Sequence, residues 1–146
     1  MIAPMESSSN QRRRALDVPS QLLTFRELLR PALGETATEL EILATKDGVL
    51  RVEMRPETFH RLLHILAMNS LDWLHAHREP RIRITARAVE DACEIIVSDN
   101  GPGISHAIAD RVFEPLFSTK ESGRGMGLTI ARSIVDLHGG EISVLS

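Results

Sequence analysis

Apolar residues recur at helical spacing in three stretches of the chain, and we predict a helix for each. The second runs from about Glu57 to His77 and the third from about Met126 to His138. The first begins near Pro19, and Pro31 is expected to end or bend it, because proline lacks an N–H and clashes with the preceding turn. The apolar positions of this first helix are Leu22, Leu23, Phe25, Leu28, Leu29 and Leu33.

Apolar and polar residues alternate in the remaining stretches, which is typical of strands with one buried face. Residues 38–54 read TELEILATKDGVLRVEM, and the central Asp47-Gly48 pair predicts the turn of an antiparallel hairpin. Residues 81–89 and 92–99 form a second strand pair around Glu90-Asp91, and residues 141–146 read as a last strand. This order predicts the α+β class: a two-layer α/β sandwich in which three helices cover one face of a mixed, mostly antiparallel sheet.

Composition and charge favour one ordinary globular domain. Of the 146 residues, 42% are hydrophobic and 25% are charged, and the net charge of -3 favours no nucleic-acid partner. Cys93 is the single cysteine, which excludes an internal disulfide. The sequence has no long apolar run or signal segment, so we expect a cytoplasmic domain without membrane contact of its own. Residues 1–17 are polar and predict a disordered tail or linker, and residues 18–146 form the domain.

Two features suggest chemistry in the second half of the chain. Glycines recur around a carboxylate, Asp99, that ends an apolar strand, and a helix begins after the last glycine cluster. Phosphate-binding sites combine such close backbone with a helix N-terminus, but the P-loop spacing is absent here. Asn69 lies on the apolar side of the second helix, seven residues after Leu62. It can be a core amide satisfied by backbone or water, or a ligand for a metal ion, and spacing alone leaves both open.

Four motifs in order resemble one family. They are HILAMNSLDWL (64–74), DNGPGI (99–104), VFEPLFSTK (112–120) and GRGMGL (123–128), and the strand-like HGGEISV (138–144) follows them. From about residue 18 to residue 146 the chain resembles the catalytic ATP-binding domain of bacterial sensor histidine kinases. That domain belongs to the ATPase superfamily of gyrase, heat-shock chaperone and mismatch-repair proteins. The form of the phenylalanine-containing motif points to histidine kinases within it.

The resemblance implies ATP and Mg²⁺ as cofactors and a role for each matching residue. Asp99 would accept a hydrogen bond from the adenine amino group, and Asn69 would ligate Mg²⁺ and act with Lys120 in catalysis. Trp73 would stack on adenine, although core packing explains it equally well. Lys120 and Arg124 would neutralise phosphates, with Thr119 as a weaker candidate. The glycine-rich segments would contribute Gly101, Gly103, Ile104, Gly125, Met126, Gly127 and Leu128 to the nucleotide pocket.

The implied reaction is transfer of the ATP γ-phosphate to a histidine on a separate dimerisation and phosphoacceptor domain, which then passes it to a response regulator. The six histidines are His60, His64, His75, His77, His106 and His138. None is followed by the acidic residue and proline of the family's acceptor motif. We therefore expect this chain to bind ATP without phosphorylating itself at the usual site.

Two departures from the family pattern keep alternatives open. Ile65 stands where relatives often carry Asn or Glu, which puts ATP hydrolysis in doubt. The family usually has one more strand after HGGEISV, and without it we expect an open sheet edge, with reduced stability or pairing in an oligomer. The alternatives are an anti-sigma-factor type of serine kinase and a degenerate nucleotide-binding module that serves protein interaction.

Overall fold

The computed structural model describes residues 13–45, 50–74, 76–103, 111–114 and 127–144, which hold three helices and five strands. In chain order the elements are β1 (Arg14–Asp17), α1 (Val18–Thr36), β2 (Glu39–Ala44), β3 (Arg51–Met54), α2 (Pro56–Leu74), β4 (Arg81–Val89), β5 (Ala92–Asp99) and α3 (Gly127–Leu137). The predicted α/β sandwich with a mixed, largely antiparallel sheet is confirmed. None of the helices in these ranges is long and apolar enough to cross a membrane.

The strands of the described residues form two sheets. In the larger sheet β4 lies in the centre, parallel to β2 and antiparallel to β5. The smaller sheet pairs β1 antiparallel with β3. Helix α1 contacts β2, while α2 contacts β4, β5 and both other helices. Helix α2 is therefore the element that connects the sheet to the rest of the helical layer.

The core lies between the inward face of the larger sheet and the helices. Strand β4 turns Ile82, Ile84 and Ala86 inward, and all three are buried. The alternate positions of the strand face outward, where Arg83 pairs with Glu41 of β2 at 3.1 Å and Arg87 pairs with Glu94 of β5 at 2.7 Å. The largest fully buried side chains include Phe25 and Phe59, one from each of the first two helices. Burial of these aromatic rings explains why the amphipathic helices settle on this face of the sheet.

The first helix begins earlier and ends later than its pattern predicts. Asp17 caps it, because its Oδ2 accepts hydrogen bonds from the Ser20 N–H at 3.1 Å and the Ser20 hydroxyl at 2.6 Å. Of the two outcomes predicted for Pro31, an end of the helix is wrong, since α1 continues to Thr36. Pro31 is exposed, and the turns that flank it are held by burial of Leu29 before it and partial burial of Leu33 after it. Packing therefore outweighs the single hydrogen bond that proline removes.

The predicted hairpin over residues 38–54 is wrong. Strands β2 and β3 lie in different sheets, and the Asp47-Gly48 pair lies outside the described residues. Strand β2 pairs with β4 instead, where Leu40 and Ile42 extend the buried face of Ile82 and Ile84. Opposite charges on the outward face support the same register. A local turn signal thus gives way to a long-range pairing that buries more apolar surface.

The two ends of the domain also differ from expectation. Residues 14–17, assigned above to a disordered tail, form β1, because the free edge of β3 supplies a hydrogen-bonding partner. At the other end, residues 141–144 form no strand within the described chain, since no neighbouring strand pairs with them there. Gly139 adopts a φ of 72° and ends α3 as predicted. Helix α2 ends at Leu74, three residues before the predicted end at His77. The His77 N–H donates a hydrogen bond to the Leu74 carbonyl oxygen at 2.8 Å, which forms a tighter turn.

Candidate nucleotide site

One stripe of α2 connects the parts of the predicted site. Ile65, Asn69 and Trp73 are spaced four residues apart, so they lie on one face of the helix. All three are half-buried, whereas Leu63, Ala67 and Leu71 on another face are buried in the core. At a rise of about 1.5 Å per residue, the stripe extends for roughly 12 Å from Ile65 to Trp73.

The Trp73 end of this stripe lies against the turn that follows β5. A Cβ atom placed on Gly101 would lie 2.9 Å from Asp99 Oδ1, 3.4 Å from Leu74 Cδ2 and 3.7 Å from Trp73 Cβ. Only glycine fits such a close approach without a shift of its neighbours. Gly103, two residues later, has a φ of 79°, which L-residues with side chains rarely adopt. Both glycines therefore shape the backbone as the sequence predicts.

Asp99 is the last residue of β5 and its side chain is exposed at this turn. Its Oδ1 accepts a hydrogen bond from the Gly101 N–H at 2.9 Å, which is the ordinary role of a turn aspartate. Among the described residues no hydrogen-bond donor contacts its other oxygen, Oδ2. The carboxylate is thus oriented by the turn and retains an acceptor for a ligand.

Asn100 fixes the position of this turn, a role that we did not predict from the sequence. Its Oδ1 accepts from the Arg81 N–H and its Nδ2 donates to the Glu79 carbonyl oxygen, each at 2.8 Å. Its own N–H donates to the Arg81 carbonyl oxygen at 3.2 Å. Three hydrogen bonds thereby hold the residue between Asp99 and Gly101 to the start of β4. The sequence signal is an Asn beside the strand end, which is too common to identify such a contact.

The other end of the stripe meets the beginning of α3. A Cβ atom placed on Gly127, the first residue of α3, would lie 3.5 Å from Ile65 Cγ2. The first turn of α3 contains no acidic residue, and its N–H groups lack partners within the helix. Leu128 is half-buried, while Ala131 and Ile134 anchor the helix in the core. The positive end of the helix dipole favours an anion here.

Residues 111–114, which include the first three residues of the phenylalanine-containing motif, lie against the same helix. The Thr129 hydroxyl donates a hydrogen bond to the Phe113 carbonyl oxygen at 2.8 Å. The Arg132 guanidinium carbon lies 5.7 Å from the centroid of the Phe113 ring, a cation–π contact. The sequence did not identify Thr129 or Arg132 as residues that contact Phe113.

Several predicted site residues lie outside the described part of the chain, and their roles stay predictions. These are Ile104, Thr119, Lys120, Arg124, Gly125 and Met126. The described predicted residues, namely Asn69, Trp73, Asp99, Gly101, Gly103, Gly127 and Leu128, all belong to α2, to the turn after β5 or to the first turn of α3. The structure therefore brings this second set together around one face of α2.

The donor set suits a magnesium ion that is held mainly by a nucleotide. Within the described ranges, no group of three His, Cys, Asp or Glu side chains could hold a metal ion. Mg²⁺ is commonly bound through one or two protein oxygens, substrate phosphates and water rather than through an all-protein cage. Asn69 is half-buried midway along the stripe, already interacts with other protein groups, and contains one amide oxygen of the kind that Mg²⁺ accepts. This arrangement fits Mg²⁺ bound together with phosphates.

Comparison with known proteins gives the same assignment as the motifs. The sensor histidine kinase ZraS of Escherichia coli is 32% identical over 109 residues, which are 74% of this chain and 23% of ZraS. The C4-dicarboxylate transport sensor protein DctS of Rhodobacter capsulatus is 56% identical over 52 residues, which are 36% of this chain and 8% of DctS. The chain therefore spans less than a quarter of the length of either relative.

Several solved structures with the same fold are histidine kinases. The catalytic domain of histidine kinase ThkA superposes with a TM-score of 0.77 at 23% identity, covering 90% of this chain and 85% of that one. A structure of ThkA in complex with the response regulator protein TrrA matches with a TM-score of 0.71 at 20% identity, covering 88% of this chain and 36% of that one. The family model for histidine kinase-, DNA gyrase B- and HSP90-like ATPases matches residues 54–146. The chain belongs to this family of ATPases, as its four motifs predicted.

Proposed function

We propose that this chain is the ATP-binding catalytic domain of a sensor histidine kinase. In this proposal it transfers the ATP γ-phosphate to a histidine on a separate phosphoacceptor domain, from which a response regulator receives it. The sensor-kinase relatives and the ThkA–TrrA complex support the assignment of these partners. We also place the domain in the cytoplasm, where ATP is available.

The observation that carries the proposal is the arrangement along the half-buried stripe of α2. Asp99 and Gly101 lie at its Trp73 end, and the first turn of α3 lies at its Ile65 end. An oriented carboxylate acceptor at one end suits the adenine amino group, and a helix N-terminus at the other suits phosphates. The roughly 12 Å between the ends accommodates an extended nucleotide.

Each described residue then has a defined task. Asp99 accepts from the adenine amino group and disfavours guanine, which has a carbonyl oxygen at that position. Trp73 covers the base, and Gly101 and Gly103 allow the backbone to approach it. Asn69 provides an oxygen to Mg²⁺, which neutralises phosphate charge when bound. Positioning and charge neutralisation provide most of the catalysis in phosphoryl transfer, and these tasks contribute to both.

The catalytic assignment of Lys120, and the phosphate contacts of Thr119 and Arg124, extend this proposal from the family resemblance. Ile104, Gly125 and Met126 are included as pocket residues for the same reason. Each can be tested by substitution in the binding assay below. Lys120→Gln is expected to lower the affinity for ATP more than the affinity for adenosine.

A calorimetric titration of Mg²⁺–ATP tests the proposal. Wild type, Asp99→Asn and Asp91→Asn are compared, with GTP as the control ligand. Asp91 is a matched carboxylate because it precedes β5 while Asp99 ends it, about 26 Å away at a rise of about 3.3 Å per residue. A hydrogen bond to a charged acceptor contributes about 1.5–3 kcal/mol, so Asp99→Asn should weaken ATP binding at least about tenfold. Asp91→Asn should leave it unchanged, and GTP should not bind.

The titration also separates the alternatives. A folded wild-type chain that binds no ATP would contradict the catalytic assignment and favour the interaction module. Equal binding of ATP and GTP would contradict the role of Asp99. If ATP binds as expected, incubation with γ-labelled ATP should leave the chain itself unlabelled, because the acceptor histidine is assigned to another domain.

A further inference from the structure

We propose that Thr129 and Arg132 are positioning residues for the phosphate end of the nucleotide site, because they hold residues 111–114 against the first turns of α3. We call this set of contacts the Phe113 anchor. The inference rests on the proposed function, since it concerns the same site.

The Thr129 hydroxyl bonds differently from the other helical hydroxyls in the described ranges that donate to a carbonyl oxygen. Thr24 and Ser133 donate to the carbonyl oxygen four residues earlier in their own helix, at 3.2 Å and 3.1 Å. Thr36 likewise donates within α1. Thr129 instead reaches across to the Phe113 carbonyl oxygen, sixteen residues earlier in the chain, at 2.8 Å in a partly buried contact. This hydroxyl therefore connects two segments, whereas the others only supplement their own helix.

Arg132 contacts the side chain of Phe113, while Thr129 bonds to the Phe113 backbone. The two residues are three positions apart, so they lie on one face of α3. The guanidinium stands over the Phe113 ring at 5.7 Å from its centroid. Residues 111–114 are themselves closed by a hydrogen bond from the Glu114 N–H to the Arg111 carbonyl oxygen at 2.9 Å and by an ion pair of the two side chains at 3.4 Å. The anchored segment is thus a small turn held at both its backbone and its ring.

The anchor lies beside the proposed phosphate end. Thr129 is two residues after Gly127, so its hydroxyl projects from the first turn of α3. That turn contacts Ile65 of α2 through Gly127 and residues 111–114 through Thr129. It is therefore supported from two sides. Loss of the second support should move the N–H groups that face the phosphates while leaving the Asp99 end of the site in place.

A comparison of ATP with adenosine measures this effect. Thr129→Val keeps the shape of the side chain and removes its donor, so ATP binding should weaken about three- to tenfold, as for one lost hydrogen bond. Adenosine carries no phosphate, and its affinity should change by less than about twofold. Thr129→Ser should restore ATP binding. Ser133→Ala removes a hydroxyl from the same helix that bonds only to its own helix, and it should behave as wild type.

Hydrogen exchange reports the anchor without nucleotide. Thr129→Val should speed hydrogen exchange of the Glu114 amide, and Arg132→Gln should do so separately. Arg132→Lys should retain most of the protection of the Glu114 amide, because lysine preserves the cation–π contact. Unchanged exchange in Thr129→Val would overturn the anchor, and an unchanged ratio of ATP to adenosine affinity would overturn its link to the phosphate end. Failure of the wild type to bind ATP would instead refute the proposed function, and the two failures are distinguishable.

Discussion

Replacement of Gly101 by alanine perturbs the base end of the site most directly. The added Cβ would lie 2.9 Å from Asp99 Oδ1 and 3.4 Å from Leu74 Cδ2. Real Cβ atoms essentially never approach another atom as closely as 2.9 Å, so the exposed Asp99 carboxylate must move, whereas the distance to the buried Leu74 is an ordinary contact. Gly101→Ala should therefore displace the proposed adenine acceptor.

The expected magnitude follows from two contributions. Because the exposed Asp99 side chain can move away from the added methyl group, overpacking should cost about 1 kcal/mol, the low end of its usual range. The hydrogen bond from the Gly101 N–H to Asp99 adds about 0.5 kcal/mol, the low end of the usual range, because it is exposed to water. The free energy of unfolding should thus fall by about 1.5 kcal/mol, or roughly 5 °C in Tm for a domain of this size. The affinity for ATP should fall at least about tenfold, which corresponds to about 1.4 kcal/mol.

The free energy of unfolding in urea and the affinity for ATP are measured for Gly101→Ala and for the control variant Gly34→Ala. Gly34 lies inside α1, and a Cβ there would meet no atom within 4 Å. The control should raise the free energy of unfolding by about 0.5–1 kcal/mol, because alanine favours a helix over glycine, and it should leave ATP binding unchanged. A Gly101→Ala protein with wild-type stability and wild-type ATP affinity would refute both the close packing and the role of the turn.

Substitutions at three further positions test the fold. Phe59→Ala removes a side chain that is 1% exposed and should lower the free energy of unfolding by about 3–5 kcal/mol in urea, whereas a loss below about 1 kcal/mol would contradict its place in the core. Asp17→Ala should lower Tm, whereas Asp17→Asn should largely preserve it, because Asn also caps helices well. Hydrogen bonds from Ser20 lower the pKa of Asp17 in the folded protein below the ordinary value of 3.8. The stability that this cap contributes is therefore present above pH 3.8 and is lost as the pH falls through the lower pKa of the folded state. Burial lowers the pKa of His60, against the opposing effects of Glu57 and the Gln21 backbone, so the unfolded chain takes up the proton first. Stability should therefore fall as pH decreases below about 6.5, and His60→Gln should flatten that dependence in urea titrations; an equal pH dependence in the variant would assign it to other groups.

The elements predicted well from sequence are those whose pattern agrees with their packing. Most of strand β4 alternates between apolar and polar residues, and the two-residue turn Glu90-Asp91 joins it to β5, so local and long-range signals give the same antiparallel pair. Helix α2 begins with Pro56 and Glu57, both favourable in a first turn, and continues into a clear apolar stripe. The order of four motifs then predicted site residues on α2 and at the end of β5.

The failures share a physical origin in partners distant along the chain. Nothing near β2 indicates that its neighbour is β4, about forty residues later, and the Asp47-Gly48 pair favours a local hairpin instead. Strand β1 has four residues and one buried side chain, Leu16, so its pattern is too short to detect without β3 beside it. The Phe113 anchor was missed for the same reason, since the hydroxyl of a threonine in a helix ordinarily bonds within that helix.

Helix α2 contributes to both the core and the candidate site, and it does so through two different stripes of residues. Its buried residues, among them Leu63, Ala67 and Leu74, hold the sheet and the helices together, whereas Ile65, Asn69 and Trp73 occupy another stripe that we assign to the candidate site. Substitutions on the first stripe should act through stability and those on the second through binding. Gly101 lies close to both stripes, because a Cβ atom placed there would lie 3.4 Å from Leu74 Cδ2 and 3.7 Å from Trp73 Cβ. A single methyl group at this position therefore affects folding and nucleotide recognition together, which no substitution on either stripe alone should do.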